Sequence, residues 1–208
     1  MNANLKTHWE NIYTTKQPNE VSWTQDVPST SLDFIRKFQP NKYASIIDVG
    51  GGDSKLVDFL LADGYTDITV LDISQAAISR AKNRLGDKAD KVTWIVNDIL
   101  DFIPSKKYDL WHDRAAFHFL TDSLAVDRYT DTVTKAVNGM VIIGTFSTDG
   151  PLKCSGLPIK QYSEETLGKQ FSAVGFEKLS CRQVNHTTPS GAIQNFIFCG
   201  FSKKSHLF

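Results

Sequence analysis

Residues 46–60 read IIDVGGGDSKLVDFL, so three consecutive glycines join an apolar run to an amphipathic one. The run before the glycines is typical of a buried β-strand, and residues 54–63 repeat apolar side chains at helical spacing. Glycine permits positive φ and has no Cβ to keep a ligand away from the backbone. The first turn of the following helix offers unpaired N–H groups. This stretch predicts a strand–turn–helix unit that holds a flat or anionic small molecule, and the alternative is a tight turn without a ligand.

Short β-rich runs alternate with helical patterns along the rest of the chain. Such alternation predicts right-handed βαβ units in an α/β fold with a Rossmann-like, doubly wound and mostly parallel sheet. The predicted strands cover residues 43–49, 67–73, 91–96, 107–112 and 140–146, and the predicted helices cover 54–63, 74–85, 123–137 and 163–174. Helices are also expected over 5–15 and 29–39, covering the open end of the sheet, and an antiparallel hairpin over 176–185 and 192–201.

The 208 residues predict a single domain, with a helical cover in residues 1–40 and a core in residues 41–208. The 23 basic and 23 acidic residues cancel, which argues against a general nucleic-acid or membrane-surface binder. No apolar run reaches the roughly 18 residues that span a membrane, and the N-terminus lacks a signal core, so a cytoplasmic location is expected. Oligomeric state leaves no signal in the sequence.

The cysteines favour a reducing compartment. Cys154, Cys181 and Cys199 are an odd number, lie far apart and form no C-x-x-C motif. This pattern argues against a disulfide framework and against a zinc site, and no metal is expected.

Three ligands compete for the glycine turn. A nucleoside triphosphate requires G-x-x-x-x-G-K-[ST], which is absent, and a dinucleotide requires a third glycine where this chain has Lys55. The remaining pattern is the D-x-G-x-G-x-G of S-adenosylmethionine (SAM) enzymes. Asp48, Gly50 and Gly52 match it, with Gly51 between them, and Ser54 replaces the last glycine in a position where it can cap the helix.

The next two strand ends strengthen this interpretation. Asp72 lies about twenty residues after the glycines, where an acid accepts hydrogen bonds from ribose hydroxyls, and Ile73 follows it. Asp72 could instead cap the next helix, although Ser74 suits that role. At the end of the third strand, Asp98 could accept from the adenine amino group while Ile99 packs on the ring. The alternative for Asp98 is a turn-forming Asn-Asp pair.

The chain resembles class I SAM-dependent methyltransferases over nearly its whole length. More narrowly, it is similar to the bacterial and mitochondrial group that includes the citrate synthase lysine methyltransferase. The motifs that carry the narrower resemblance are THWENIY (7–13), VSWTQ (21–25), IIDVGGG (46–52), ITVLDIS (68–74), YDLWHDRAAFHFLTD (108–122) and CSGLP (154–158).

The resemblance implies a seven-stranded sheet whose seventh strand is antiparallel. It also implies that Asp48 and the glycine turn face the methionine end of SAM, with Asp72 at the ribose and Asp98 at the adenine. Trp23 would lie over the sulfonium, since an aromatic face attracts a cation. The alternative for Trp23 is a packing role within the covering segment.

The acceptor side carries weaker signals. A lysine titrates near ~10.4 and must lose its proton before it can be methylated. Asp113, after the predicted fourth strand, is the candidate for orienting an amine or taking its proton, and His118 is a second candidate base. His112 is expected to line the cofactor site, partly through its backbone. Alternatively, Asp113 caps the following helix and His118 packs among its aromatic neighbours.

These observations predict a SAM-dependent methyltransferase that acts on a protein lysine and releases S-adenosylhomocysteine. Residues 147–162, rich in Gly, Pro and Ser, are expected to form part of the acceptor site. One alternative is a small-molecule methyltransferase whose acceptor is a thiol, an amine or a carboxylate. Another is a SAM-binding protein without catalysis.

Overall fold

A computed structural model describes residues 3–204 and shows an α/β fold built on a seven-stranded sheet. The strands lie in the order β3-β2-β1-β4-β5-β9-β8. β1 to β5 run parallel to one another, whereas β9 pairs antiparallel with both β5 and β8. The predicted fold class is confirmed. The strands are β1 Ser45–Val49, β2 Asp67–Asp72, β3 Val92–Val96, β4 Tyr108–Arg114, β5 Val137–Phe146, β8 Phe176–Thr187 and β9 Ile193–Lys203, with a separate hairpin of β6 Lys153–Cys154 and β7 Leu157–Pro158.

Six α-helices connect or precede these strands within the described residues. Ser74 caps α4 as predicted, because its Oγ accepts from the Ala77 N–H at 3.2 Å. Short 3₁₀ turns lie at Pro18–Glu20, Gly86–Lys91, Ile99–Asp101 and Phe117–Phe119. The helices are α1 Ala3–Thr15, α2 Ser29–Phe38, α3 Leu56–Ala62, α4 Gln75–Leu85, α5 Ser123–Ala136 and α6 Glu164–Ser172.

The sheet is covered on both faces, which explains why its central strands are nearly continuous apolar runs. Neighbouring residues of β1 point to opposite sides, since side chains alternate along a strand. Ile47 packs in the layer that contains Trp111 and Tyr129 of β4 and α5. Ile46 packs in the other layer, with residues of α2 and α3. Both isoleucines have no exposed surface.

The helix α2 lies on one face of the sheet rather than over its open end. The Phe34 ring packs against Phe198 of β9 with a centroid distance of 6.1 Å. Gly200 leaves room for this helix, because a Cβ there would come within 2.9 Å of the Phe38 ring. The residues before β1 therefore extend the core as well as contributing to the site described below.

The terminal hairpin contains one disulfide, between Cys181 and Cys199, although the cysteine pattern argued against a disulfide framework. The two cysteines are direct cross-strand partners of β8 and β9, with Cα atoms 4.2 Å apart. Their separation of 18 residues along the chain hides this proximity, which the register of the hairpin creates. The cysteines therefore lend no support to a reducing compartment, and the cytoplasmic location stays a prediction. Between residues 3 and 204, no helix combines the length and apolar character needed to cross a membrane.

Candidate active site

A cavity of about 490 Å³ opens at the carboxyl ends of β1, β2, β3 and β4. This edge is where open α/β sheets bind their ligands. Its volume lies in the usual range for small-molecule sites. Ten of the predicted cofactor residues line it, namely Trp23, Asp48, Gly50, Gly51, Ser54, Asp72, Ile73, Asp98, Ile99 and His112. Gly52, Asp113 and His118 are not among the lining residues, although a Cβ at Gly52 would come within 2.9 Å of the lining residue Asp72.

The glycine turn needs its glycines for two separate reasons. Gly50 and Gly52 have φ values of +65° and +47°, a region that other residues rarely adopt. At Gly51 the obstacle is contact, because a Cβ would lie 2.6 Å from Asp48 Oδ2. After the turn, Ser54 Oγ accepts from the Leu56 N–H at 3.1 Å at the start of α3. The turn therefore brings the backbone close to the cavity and then begins the helix, as its sequence suggests.

Asp48 is held by a buried chain of hydrogen bonds. His112 Nδ1 lies 2.7 Å from Asp48 Oδ1, and His112 Nε2 lies 2.9 Å from Ser31 Oγ. All three residues are buried and border the cavity. His112 thus contributes its side chain, where the sequence suggested a partly backbone role. Ser31, on α2, was not predicted, since nothing near it in the sequence distinguishes it from other helical serines.

Asp72 lines the cavity with a carboxylate that backbone N–H groups hold in place. It accepts from the Ser74 N–H at 2.8 Å and from the backbone of Gly52 and Ile73. Burial raises the pKa of Asp72 to about 7; the Ser74 N–H acts against this rise, and the negative charge of Asp48 adds to it. An ionised Asp72 would gain from two further donors, and a ribose diol supplies two.

Asp98 borders the cavity and also caps a turn. It lines the cavity, and its side chain also accepts from the Leu100 N–H at 3.0 Å as the cap of the Ile99–Asp101 turn. The turn carries the apolar side chains of Ile99 and Leu100 to the cavity wall. An acceptor beside an apolar surface suits a flat heterocycle with an amino group.

The helix α1 lies beside the part of the cavity that Asp72 borders, and Glu10 anchors it to the start of α4. Ser74 Oγ donates to Glu10 Oε2 at 2.7 Å, and the Ala76 N–H donates to Glu10 Oε1 at 3.1 Å. A carboxylate is favourable at this position because it meets the positive end of α4. Glu10 was not predicted, because the THWENIY motif to which it belongs served only as part of the resemblance.

An aromatic cluster forms the wall opposite the sheet. The Trp9 ring lies 5.6 Å from Trp23 and 5.1 Å from Phe119, measured between centroids. Tyr13 lies 6.1 Å from Trp23 in the same cluster. All four rings line the cavity. They come from three separate parts of the chain and provide an apolar surface that also attracts cations.

The segment of residues 21–26, here called the strap, contributes Val21, Trp23, Thr24 and Gln25 to the cavity wall and is held at three points. Arg114 Nη1 donates to the Trp23 carbonyl at 2.9 Å. His186 Nε2 lies 2.6 Å from the Ser22 carbonyl oxygen. Lys55 pairs with Asp26 at 2.8 Å. The strap is thereby held by β4, β8 and the glycine-turn region together.

Asp113 and His118 point away from the cavity. Asp113 accepts from Tyr129 Oη at 2.7 Å and from the N–H groups of Ala116 and Phe117 at 3.0 and 3.1 Å, and burial raises its pKa to about 6. His118 stacks on Phe146 with centroids 4.6 Å apart, and burial lowers its pKa to about 3. The structure therefore supports the capping and packing alternatives, and brings neither side chain to the place where an acceptor would bind.

The loop after β5 contributes Cys154 to the cavity. Burial raises the pKa of this thiol to about 11, so it is protonated at neutral pH and is a poor nucleophile. Within the described part of the chain, no group of three or more His, Cys, Asp or Glu side chains is arranged to hold a metal ion.

Residues 47–141 match the family described as "Methyltransferase domain". Malonyl-[acyl-carrier protein] O-methyltransferase 2 of Ilyobacter polytropus is 29% identical over 106 residues, which are 50% of this chain and 40% of that protein. The corresponding enzyme of Anoxybacillus flavithermus is 37% identical over 79 residues, which are 37% and 29% of the two chains. The chain thus spans less than half the length of the curated relatives it matches.

Solved structures extend the similarity to the whole fold. The 1,6-didemethyltoxoflavin-N1-methyltransferase of Burkholderia thailandensis, solved with S-adenosylhomocysteine, has a TM-score of 0.74 at 16% identity, covering 98% of this chain and 88% of that one. The magnesium protoporphyrin IX methyltransferase of Synechocystis PCC 6803, solved with SAM, has a TM-score of 0.68 at 16% identity, covering 98% and 93%. At these identities the likeness concerns the fold.

Proposed function

We infer that this chain, which has the fold of the class I SAM-dependent methyltransferases and a methyltransferase-domain match over residues 47–141, is an enzyme that transfers a methyl group from SAM. The observation that carries the inference is the convergence of Asp48, Asp72 and Asp98 on one cavity beside the glycine turn. A structural role for each acid alone would not require all three to face the same space.

The residues of the cavity fit the parts of SAM. Asp72 would accept from the ribose hydroxyls, and Asp98 would accept from the adenine amino group while Ile99 packs on the ring. The glycine turn and Asp48 would hold the methionine part, and Trp23 would offer its face to the sulfonium. SAM, when bound, supplies an electrophilic methyl group.

The chain's own contribution to transfer is alignment and exclusion of water. The Glu10 anchor fixes α1 beside the ribose end, and the ties from Arg114, His186 and Lys55 fix the strap in the cavity wall. The aromatic cluster leaves few groups that could retain water. Methyl transfer needs no covalent enzyme intermediate, which agrees with a protonated Cys154.

The acceptor separates the two candidate enzymes. The resemblance to the citrate synthase lysine methyltransferase group favours a protein lysine, and this stays a prediction. The names of the relatives and of the solved neighbours favour a carried acyl group or a small molecule instead. If the acceptor is an amine, its proton must leave without Asp113 or His118, since neither reaches the cavity. A SAM-binding protein without catalysis is the remaining alternative.

The test is transfer from methyl-labelled SAM into a cell extract that is then divided into protein and small-molecule fractions, with an Asp72→Ala variant as the inactive control. Label in one protein band that maps to a lysine would establish the lysine methyltransferase. Label confined to small molecules, or to an acyl group released by mild hydrolysis, would establish the alternative acceptor. Normal SAM affinity with no label in any fraction would contradict the enzymatic function.

A further inference from the structure

The guanidinium of Arg114 lies in the cavity wall with two of its three nitrogens unused. Nη1 donates to the Trp23 carbonyl oxygen, but Nε and Nη2 are buried and have no hydrogen-bond partner among the described residues. Burial lowers the pKa of Arg114 to about 10, which still leaves it charged at neutral pH. A buried cation whose donors are unsatisfied is costly, so a ligand that satisfied them would be bound favourably.

The unused nitrogens form one edge of the guanidinium. The N–H bonds of Nε and Nη2 run parallel, and their spacing matches the two oxygens of a carboxylate. Two other arginines of this chain use the same edge in this way. Arg36 donates from Nε and Nη2 to Asp63 at 2.7 and 3.0 Å, and Arg84 donates from the same atoms to Asp58 at 3.1 and 2.9 Å.

No carboxylate of residues 3–204 occupies the corresponding position at Arg114. The negative charge of Asp48 acts on Arg114, yet the Asp48 side chain is committed to His112 at 2.7 Å. The guanidinium also lies 5.2 Å from the centre of the buried Phe196 ring. Apolar surroundings strengthen an ion pair by lowering the local dielectric constant.

The position of Arg114 in the sheet relates this edge to the acceptor. Asp72 and Asp98 follow β2 and β3 on one side of β1, whereas Arg114 ends β4 on the other side. The parts of a nucleoside cofactor that meet Asp72 and Asp98 would therefore lie two and three strands away from the strand that ends in Arg114. Arg114 holds the backbone of Trp23, and the rings of Trp23 and Phe119 line the same cavity, which gives the body of a second molecule an apolar surface.

We propose that Arg114 binds a carboxylate of the methyl acceptor through Nε and Nη2. The acceptor is then a carboxylic acid with an apolar body, either as a free small molecule or as an acyl group. This inference rests on the proposed function, because it assumes that the rest of the cavity holds SAM. The methionine part of the cofactor also carries a carboxylate that could pair with Arg114. The experiment distinguishes this carboxylate from that of the acceptor.

The experiment is calorimetric titration of the protein saturated with S-adenosylhomocysteine. The probes are acetate, malonate and phenylacetate, each compared with its uncharged amide. We expect at least one acid to bind more tightly than its amide. We expect Arg114→Gln to lower the affinity for that acid by about 10- to 100-fold. Arg114→Lys keeps the charge but cannot make two parallel hydrogen bonds, so its affinity for the acid should lie between those of Arg114→Gln and wild type. Arg182→Gln, an exposed arginine on β8, is the matched control.

A second titration distinguishes the sources of the carboxylate. Arg114→Gln should change the affinities for S-adenosylhomocysteine and for 5′-methylthioadenosine, which lacks the amino acid part, by the same factor within about twofold, because losing the tie to the Trp23 carbonyl affects both ligands alike. If only S-adenosylhomocysteine is weakened by the substitution, Arg114 holds the cofactor and the proposal is wrong. If no acid binds the wild-type complex better than its amide, the proposal is also wrong, and this comparison needs no variant to fold. Failure of the wild type to bind S-adenosylhomocysteine at all would instead contradict the proposed function.

Discussion

The two halves of the cavity are built in different ways. The half under β1, β2 and β3 takes its acids from the ends of three successive strands, and each acid sits in a short motif that can be read locally. The half near β4 takes its residues from α1, the strap, β4, the turn after it and the β6–β7 hairpin, and these residues are Trp9, Trp23, Arg114, Phe119 and Cys154. The position of residues at strand ends follows from the sheet topology. The position of residues from distant segments depends on how those segments pack against the sheet.

The halves also differ in charge. The first presents hydrogen-bond acceptors, chiefly Asp72 and Asp98, and so selects a ligand rich in hydroxyl and amino donors. The second presents a cation, Arg114, beside aromatic rings, and so selects an anion with an apolar body. If the two halves act as separate subsites, a substitution in one should leave ligands of the other unaffected.

The largest effect is expected from Asp72→Ala. The variant loses the charged acceptor for both ribose hydroxyls, so SAM and S-adenosylhomocysteine should each bind about 100-fold more weakly or worse by calorimetry. Asp67→Ala, at the opposite end of the same strand and paired with Lys106, is the matched control. Unchanged SAM affinity in Asp72→Ala would show that the ribose lies elsewhere and would remove the distinction between the halves.

The pH dependence of binding tests the same carboxylate. The pKa of Asp72 is raised to about 7, so below that pH the free protein is protonated at this group. Binding to the ionised form must then release a proton, and SAM affinity should fall about tenfold from about pH 8 to about pH 6. SAM also titrates, and this contribution is the same for both proteins and can be divided out. After that correction, Asp72→Asn should bind SAM weakly, with an affinity that does not change with pH. Identical profiles for the two proteins would assign the pH dependence to another group.

The residues at the ends of β1 to β4 show which parts of the site could be predicted from the sequence. The acids of β1 to β3 could be predicted because a charged residue at the end of a buried strand contributes little to packing and lies at the edge where ligands bind. The fourth strand was predicted to end at residue 112, which made Asp113 the strand-end acid, but β4 continues through Arg114. Alternation along the strand then places His112 on the α2 side and Asp113 on the α5 side. The strand-end residue that borders the cavity is Arg114.

The remaining omissions are long-range. Cys181 and Cys199 meet because of hairpin register, and Glu10 reaches the N-terminus of α4 across 66 residues to Ala76. Neither pairing has a local signature, since each partner sits in an ordinary strand or helix pattern. Local motifs thus predicted the fold and the acids that border the cavity under β1, β2 and β3, whereas the residues of the half near β4 could be found only in the folded chain.

A smaller effect is expected from Trp23→Ala, which probes the boundary between the halves. A cation–π contact to the sulfonium should make SAM bind about 3- to 10-fold more weakly, with S-adenosylhomocysteine, which lacks that charge, changed less than about twofold. Trp23→Phe keeps an aromatic face and should recover part of the loss. Trp9→Ala removes the neighbouring ring and serves as the comparison. An equal loss for both ligands would indicate that Trp23 contributes apolar surface only.

The smallest effect on binding is expected from Asp113→Asn. The asparagine can still accept from Ala116 and Phe117, but its amide would face the Tyr129 hydroxyl in place of the carboxylate oxygen that accepts from it. The free energy of unfolding should therefore fall by about 1–3 kcal/mol in a urea titration, while SAM affinity stays within about twofold. Tyr129→Phe breaks the same hydrogen bond from the other side, so the double variant should lose less stability than the sum of the single ones. A large loss of turnover at unchanged stability would instead return Asp113 to the catalytic role, and would mean that β4 supplies the acceptor half from both of its faces.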